Sequence, residues 1–166
     1  MSAPLSEGAA LMLAAERGAV QSIRGWQMRG GNINLPLNHS GVLMTPLQTA
    51  VHAGYGLAVR TLLQCGAEAD LTAGQGSGYE DHSSLQLAAR GGHSDPLLAL
   101  LEVGADPSAR DAFGQTPLHY GAAFGHVDCC MQLLRFGCDP AIRDASGHTA
   151  DALAEAAGHA ALAGAW

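Results

Sequence analysis

Histidine and cysteine are the residue types in this chain that could carry chemistry, with eight histidines and four cysteines among 166 residues. Both types bind zinc, and a cysteine near a histidine can act as a nucleophile with its base. The best such grouping is His126 with Cys129 and Cys130. However, the cysteines lack C-x-x-C spacing, and the chain has no G-x-S-x-G, phosphate-loop or H-E-x-x-H motif.

The spacing of the histidines favours structural roles. His93, His126 and His159 are separated by 33 residues each, so they are one position of a repeat seen three times. A metal site needs three or four ligands that converge on one point, whereas residues one repeat apart are spread along a stack. We therefore predict no metal site, no cofactor and no catalytic residue, and we expect one or both of Cys129 and Cys130 to be buried and inert.

Several charged residues recur with the same 33-residue spacing. The aspartates are expected to bond backbone amides in turns, and the arginines are expected to pair locally on the surface. The pairs are Asp106 with Asp139, Asp111 with Asp144, and Arg110 with Arg143.

Composition and charge limit the classes of partner. With 48% hydrophobic and 14% charged residues the chain can bury a core, and its aromatic content of 5% leaves mainly aliphatic side chains for that core. The net charge of −7 argues against binding to nucleic acid or to a membrane surface. All eight basic residues are arginine; a GC-rich genome or escape from lysine ubiquitination would each explain this.

The location is predicted to be cytoplasmic or nuclear. The N-terminal segment MSAPLSEG has no signal-peptide features, and no apolar run is long enough to span a bilayer. The cysteine pattern is typical of reduced thiols in these compartments.

Glycines divide the chain into five repeats. Successive anchor glycines are 36, 38, 33 and 33 residues apart, and a second glycine follows each of the first four after twelve residues. The anchors are Gly18, Gly54, Gly92, Gly125 and Gly158. The repeats therefore begin near Ala9, Thr45, Ser83, Thr116 and Thr149.

The segments TPLHYGAAFGH and LLRFGCDPAIRDASG, with their counterparts, resemble the ankyrin repeat family. The resemblance covers about residues 9 to 159 and implies an all-α solenoid of stacked helix-turn-helix pairs with short hairpin loops. We expect residues 1–166 to form a single ankyrin repeat domain whose first and last repeats act as caps. The resemblance also implies that His119 hydrogen-bonds the opening turn of its repeat. Gln48 and Gln86 occupy the same position in other repeats and are expected to do the same.

Local signals agree with this fold. Thr116 can cap a helix, Pro117 suits the first turn, and Gly125 can end the helix in a left-handed conformation. Ser94 or Asp95 is expected to cap the second helix of the third repeat. First helices are predicted to start near residues 10, 46, 84, 117 and 150, with no sheet beyond short hairpins.

The resemblance implies protein binding on the concave side, through the hairpin tips and the exposed face of the first helices. Phe113 and Phe124 are the exceptional aromatics there, and they would be either anchors of the interface or partly packed scaffold. The positions on this side are Glu16, Arg17, His52, Arg90, Phe113, Gln115, Phe124 and His148.

The long spacings place extra residues in segments 34–44 and 72–83, at the hairpin positions of adjacent repeats. We expect their tips to lie side by side and to select the partner, although neutral drift would also explain insertions that cost little. The first segment offers an apolar patch that includes Leu43 and Met44, unless these two pack under the hairpin. The second adds Tyr79, Glu80 and Asp81 to the candidate binding residues.

The sequence therefore predicts a monomeric, non-catalytic module that binds one or more proteins as an adaptor, scaffold or inhibitor. The segment DALAEAAGH (151–159) is similar to one in small ankyrin cyclin-dependent kinase inhibitors, and a proteasome-assembly chaperone is an equal alternative. A metal protein or enzyme that uses the Cys and His set is less favoured. A fragment of a longer protein is a further interpretation, because the last repeat stops at Trp166.

Overall fold

The computed structural model describes residues 7–39, 42–71, 82–164 and 166. Within them the chain forms nine short helices and one two-stranded hairpin. The helices are α1 (Glu7–Glu16), α2 (Val20–Met28), α3 (Pro46–His52), α4 (Gly56–Gln64), α5 (Ser84–Gly91), α6 (Ser94–Glu102), α7 (Pro117–Ala123), α8 (Val127–Arg135) and α9 (Ala150–Ala156). The strands are β1 (Leu37–His39) and β2 (Val42–Met44), which pair antiparallel.

The helices form two rows, so the fold is an all-α stack of helix-turn-helix pairs, as predicted. An inner row contains α1, α3, α5, α7 and α9, and an outer row contains α2, α4, α6 and α8. The first eight helices pack in pairs, α1 with α2, α3 with α4, α5 with α6 and α7 with α8, and every helix packs on the equivalent helices of neighbouring repeats. The core lies between the rows and is built from fully buried leucines such as Leu47, Leu62, Leu97 and Leu133. Among the described residues, no helix has the length and apolar character needed to cross a membrane.

The predicted starts of the inner helices are confirmed for four repeats. α3, α5, α7 and α9 begin at residues 46, 84, 117 and 150, whereas α1 begins at Glu7 rather than near residue 10. A reciprocal cap explains the accuracy at α3, because Thr45 Oγ1 accepts from the Gln48 amide at 3.1 Å and Gln48 Oε1 accepts from the Thr45 amide at 2.9 Å. Ser83 and Gln86 form the same pair at α5.

The outer helices start differently from the prediction. Neither Ser94 nor Asp95 caps α6: the N-cap is His93, and it makes no side-chain capping bond. The chain enters this helix from the left-handed Gly92, with φ of +70°. A tight interhelical turn therefore sets the start of the helix, and Ser94 and Asp95 already lie in its first turn.

The first insertion contains the β1–β2 hairpin. Met44 is buried and Leu43 half-buried, so the apolar patch expected from this segment is smaller than the sequence suggested. Leu37 packs against the core, while Leu35 is 41% exposed. Residues 40–41 lie outside the described residues, as do residues 72–81 of the second insertion.

Candidate protein-binding surface

A row of histidines holds the ends of the inner helices in place. The Nε2 atom of His93 lies 3.1 Å from the His52 carbonyl oxygen, and His126 and His159 make the same contact with Arg90 and Ala123. A carbonyl only accepts, so each Nε2 carries the proton and donates. These histidines are structural, as predicted, and they fix the backbone at His52 and Arg90, two candidate binding residues.

A second row fixes the hairpins to the inner helices. Gln86 Nε2 donates to the Gln115 carbonyl at 2.8 Å, and His119 Nε2 donates to the His148 carbonyl at 3.2 Å. The other ring nitrogen of His119 accepts from the amide of Thr116. Burial lowers the pKa of His119, so the ring is held in the neutral form that this accepting role requires. The shared role predicted for Gln and His at this position is confirmed.

The hairpin tip that carries Phe113 is rigidly built. Asp111 Oδ1 accepts from the amides of Phe113 and Gln115, each at 2.9 Å. Arg110 donates to the carbonyl of Arg143 at 2.8 Å and to a carbonyl of its own loop. The aspartate role is as predicted, and the local partners of both arginines are loop carbonyls. Phe113 is thereby presented with 66% of its surface exposed.

Arg90, Phe124 and His126 form an ordered cluster beside the end of α7. The Arg90 guanidinium carbon lies 5.5 Å from the centroid of the Phe124 ring, which is 49% exposed. The Phe124 and His126 rings are nearly parallel, with centroids 6.4 Å apart. Because His126 also donates to the Arg90 carbonyl, each of the three residues contacts both others.

Charge is sparse at the centre of this surface. Arg90 is the only Asp, Glu, Lys or Arg residue in α3, α5 and α7. Interface centres are depleted of charge and enriched in aromatics and arginine. The Arg90 and Phe124 pair therefore has the composition of an interface centre.

A buried polar network here was missed by the sequence analysis. The Tyr120 hydroxyl donates to Asp111 Oδ2 at 2.6 Å, and the Nε2 of His82 lies 2.8 Å from the same hydroxyl oxygen. Burial, together with the hydrogen bond to Asp111, raises the pKa of Tyr120. The network ties the residue before Ser83 to the hairpin of the next repeat. The sequence did contain a signal for this network, because Tyr120 occupies the helix position at which the third repeat has Leu87.

The remaining candidates differ in accessibility. Glu16, Arg17 and His52 are exposed at the ends of α1 and α3. Gln115 and His148 approach the buried Asp144, with Gln115 Nε2 3.4 Å from Oδ2 and His148 Nδ1 3.6 Å from Oδ1. The candidates Tyr79, Glu80 and Asp81 lie outside the described residues.

The cysteines do not have the environment of a nucleophile. Cys129 and Cys130 are both buried, as predicted, and burial is the main cause that raises their pKa to about 11 and about 12. Thiols with such values are protonated at neutral pH. Nowhere in the described ranges do three His, Cys, Asp or Glu residues come together as a metal ion would require.

Comparison with known families agrees with this architecture. A model described as ankyrin repeats (3 copies) matches the chain twice, over residues 11–111 and 85–163. A search of curated proteins finds no match. The two family matches overlap and together span most of the sequence, from within α1 to beyond α9. The chain therefore belongs to the ankyrin repeat family.

Proposed function

We propose that this protein is a non-catalytic interaction module that binds a partner protein through its concave inner face and hairpin tips. Ankyrin repeats are generally protein–protein interaction modules and are typically not enzymes. The observation that carries the proposal is the pair of exposed aromatics, Phe113 and Phe124, with the Arg90 guanidinium over the second ring.

The physical argument is one of preorganisation. Ordering a flexible arginine on binding costs conformational entropy. Here the guanidinium already lies over the Phe124 ring before any partner arrives, and the hydrogen bond from His126 fixes the Arg90 backbone. A partner that covers this cluster would gain aromatic burial and a directional guanidinium contact at a reduced entropic cost.

Further residues extend this surface in the proposal. Glu16, Arg17 and His52 would continue it towards the first repeat, with Gln115 and His148 at the hairpins. Tyr79, Glu80 and Asp81, in the longer insertion, would help to select the partner. We treat residues 1–166 as one monomeric domain acting as an adaptor, scaffold or inhibitor in the cytoplasm or nucleus.

Affinity capture followed by mass spectrometry tests the proposal. The bait is the full chain, compared with the Phe113→Ala/Phe124→Ala variant and with Leu57→Ala as a matched control. Leu57 is 69% exposed on the outer helix α4, so its removal deletes exposed apolar surface without touching the inner face. We expect a partner retained by wild type and by Leu57→Ala to be lost from the double variant.

Two outcomes would contradict the inner-face proposal. One is equal retention of the same partners by all three baits. The other is loss from the double variant accompanied by loss of its cooperative unfolding transition, which would make the aromatics scaffold residues.

A further inference from the structure

The exposed face of helix α8 contains apolar side chains among its polar ones. Cys129, Cys130 and Leu133 supply the buried side of this helix. On the opposite side Val127 and Met131 are 43% and 47% exposed. A helix that packs with one face on a core normally presents polar residues on the other. Val127 and Met131 therefore give a mixed character to this face, which also exposes Asp128 and Arg135.

A groove runs between this face and the neighbouring outer helix. It has a volume of about 410 Å³ and lies between Leu98 of α6 and the side chains of Gln132, Arg135 and Phe136 at the end of α8 and just beyond it. Phe136 directly follows α8 and is 43% exposed. Val103 directly follows α6 at the equivalent repeat position and is 56% exposed. Both side chains are apolar and exposed, and Phe136 is the one that lines this groove.

The groove is acidic at both ends. Asp95 and Asp128 are the second residues of α6 and α8, and Asp106 and Asp139 lie just beyond the other ends. All four are exposed. The segments 94–106 and 127–139 together contain five acidic residues and one arginine. Glu102 is paired with Arg60 of α4 at 2.5 Å, so the local charge with that arginine included is −3. Arg135 lines the groove, where its methylene stem can add apolar surface while the guanidinium stays in water.

We propose that this groove is a second docking surface, which receives a cationic amphipathic helix of a partner protein. The apolar face of such a helix would cover Leu98, Val103, Met131 and Phe136. Lysine or arginine residues at its two ends would meet the acidic ends of the groove. Acidic peptides and nucleic acids carry the wrong charge for this surface. The surface is on the opposite side of the stack from the inner face, so it does not depend on the function proposed there.

The test uses a synthetic probe and the full chain. The probe is a labelled amphipathic Leu/Lys peptide of about fourteen residues, roughly four helical turns, followed by fluorescence anisotropy. A scrambled peptide of the same composition retains the charge without the apolar face, and a Leu/Glu peptide reverses the charge. We expect tight binding of the amphipathic Leu/Lys peptide, weaker binding of the scrambled peptide and none of the Leu/Glu peptide.

Matched variants locate the binding site. Val103→Ser/Phe136→Ser should raise the dissociation constant at least about tenfold, whereas Phe124→Ala on the inner face should leave it unchanged. Asp106→Asn/Asp139→Asn should weaken binding several-fold and reduce its salt dependence. Asparagine keeps the Oδ1 acceptor that each aspartate offers to a turn amide.

The proposal is overturned if the scrambled peptide binds as tightly as the amphipathic one, if the serine variant binds normally, or if the amphipathic probe does not bind. Circular dichroism confirms that each variant is folded. Should the double serine variant lose its unfolding transition, the single variants Val103→Ser and Phe136→Ser carry the same test, because each changes only one exposed side chain.

Discussion

Gly92 is held by two independent constraints, and replacing it with alanine measures both. Its φ of +70° is a left-handed conformation that residues with a Cβ adopt poorly. A Cβ at this position would also lie 2.6 Å from Nδ1 of the His126 ring. The ring cannot simply move away, because its Nε2 is hydrogen-bonded to the Arg90 carbonyl.

The expected magnitude is the sum of the two effects. A left-handed alanine costs about 1–2 kcal/mol, and forcing an extra methyl into a packed contact costs about 1–3 kcal/mol. We therefore expect Gly92→Ala to lower the free energy of unfolding by roughly 2–5 kcal/mol. Gly104 of the same repeat is the matched control. Its φ is +88° but nothing lies within 4 Å of its Cβ position, so Gly104→Ala should cost only about 1–2 kcal/mol.

A double-mutant cycle isolates the contact with the ring. His126→Ala alone loses the hydrogen bond to Arg90, worth about 0.5–1.5 kcal/mol, and some packing. In the His126→Ala background the alanine at 92 meets no ring, so the double variant should be more stable than additivity predicts. We expect the coupling energy between the two substitutions to exceed the additivity error of about 0.5 kcal/mol.

Urea unfolding followed by circular dichroism gives the four free energies of the cycle and that of Gly104→Ala. Equal losses for Gly92→Ala and Gly104→Ala would show that backbone strain alone matters. Additivity in the cycle would show that the His126 ring moves aside freely, and it would refute the view that this row of histidines locks neighbouring repeats together.

Other predictions concern binding, metal, pH and loop length. Phe113→Ala and Phe124→Ala should each weaken partner binding by more than about 1 kcal/mol, with a smaller loss of unfolding free energy, as measured by calorimetry and urea titration. Melting temperatures in EDTA and in zinc should agree, because no native-state metal is proposed; a shift of several degrees would reveal a bound ion. Since burial lowers the pKa of His119 below its usual value of 6.5, the unfolded chain binds this proton more readily. The free energy of unfolding should therefore fall as the pH drops below about 6.5 and should level off below the pKa of His119 in the native state. In a series of urea titrations at different pH values, His119→Gln should remove this part of the pH dependence. Deleting five residues from segment 72–82 should preserve the unfolding transition and should remove the captured partner or change it.

The repeat architecture could be predicted because the same pattern of residues recurs several times in the sequence. The starts of α3, α5 and α7 each have a capping pair at the same register, such as Thr45 with Gln48 and Ser83 with Gln86. The start of α6 was mispredicted because Ser94 and Asp95 are good caps in isolation, while a turn through Gly92 sets the true boundary. Local capping preference is a weaker constraint than a turn fixed at both ends by packed helices.

Contacts between repeats could not be predicted from one register. Repeat spacing showed that Arg110 and Arg143 are equivalent, yet Arg110 donates to the carbonyl of Arg143. These groups meet because of the distance and rotation that relate one repeat to the next in the stack. That relation is a property of the packing and cannot be obtained from the spacing of residues in the sequence. The position of the Arg90 guanidinium over Phe124 depends on the same relation, since the residues belong to adjacent repeats.

Tyr120 shows the limit of finding function by subtracting the repeat. It departs from the leucine at the same position of the third repeat, as a binding residue would, but its hydroxyl is committed to Asp111 and lies against His82. Phe124 departs from the repeat as well, and half of its ring surface remains accessible. A departure from the repeat pattern therefore identifies a residue with a role that its counterparts in the other repeats do not have. Burial and hydrogen-bond partners distinguish a role inside the fold from a role in binding a partner. By these criteria Phe124 belongs to the candidate interface and Tyr120 to the scaffold behind it.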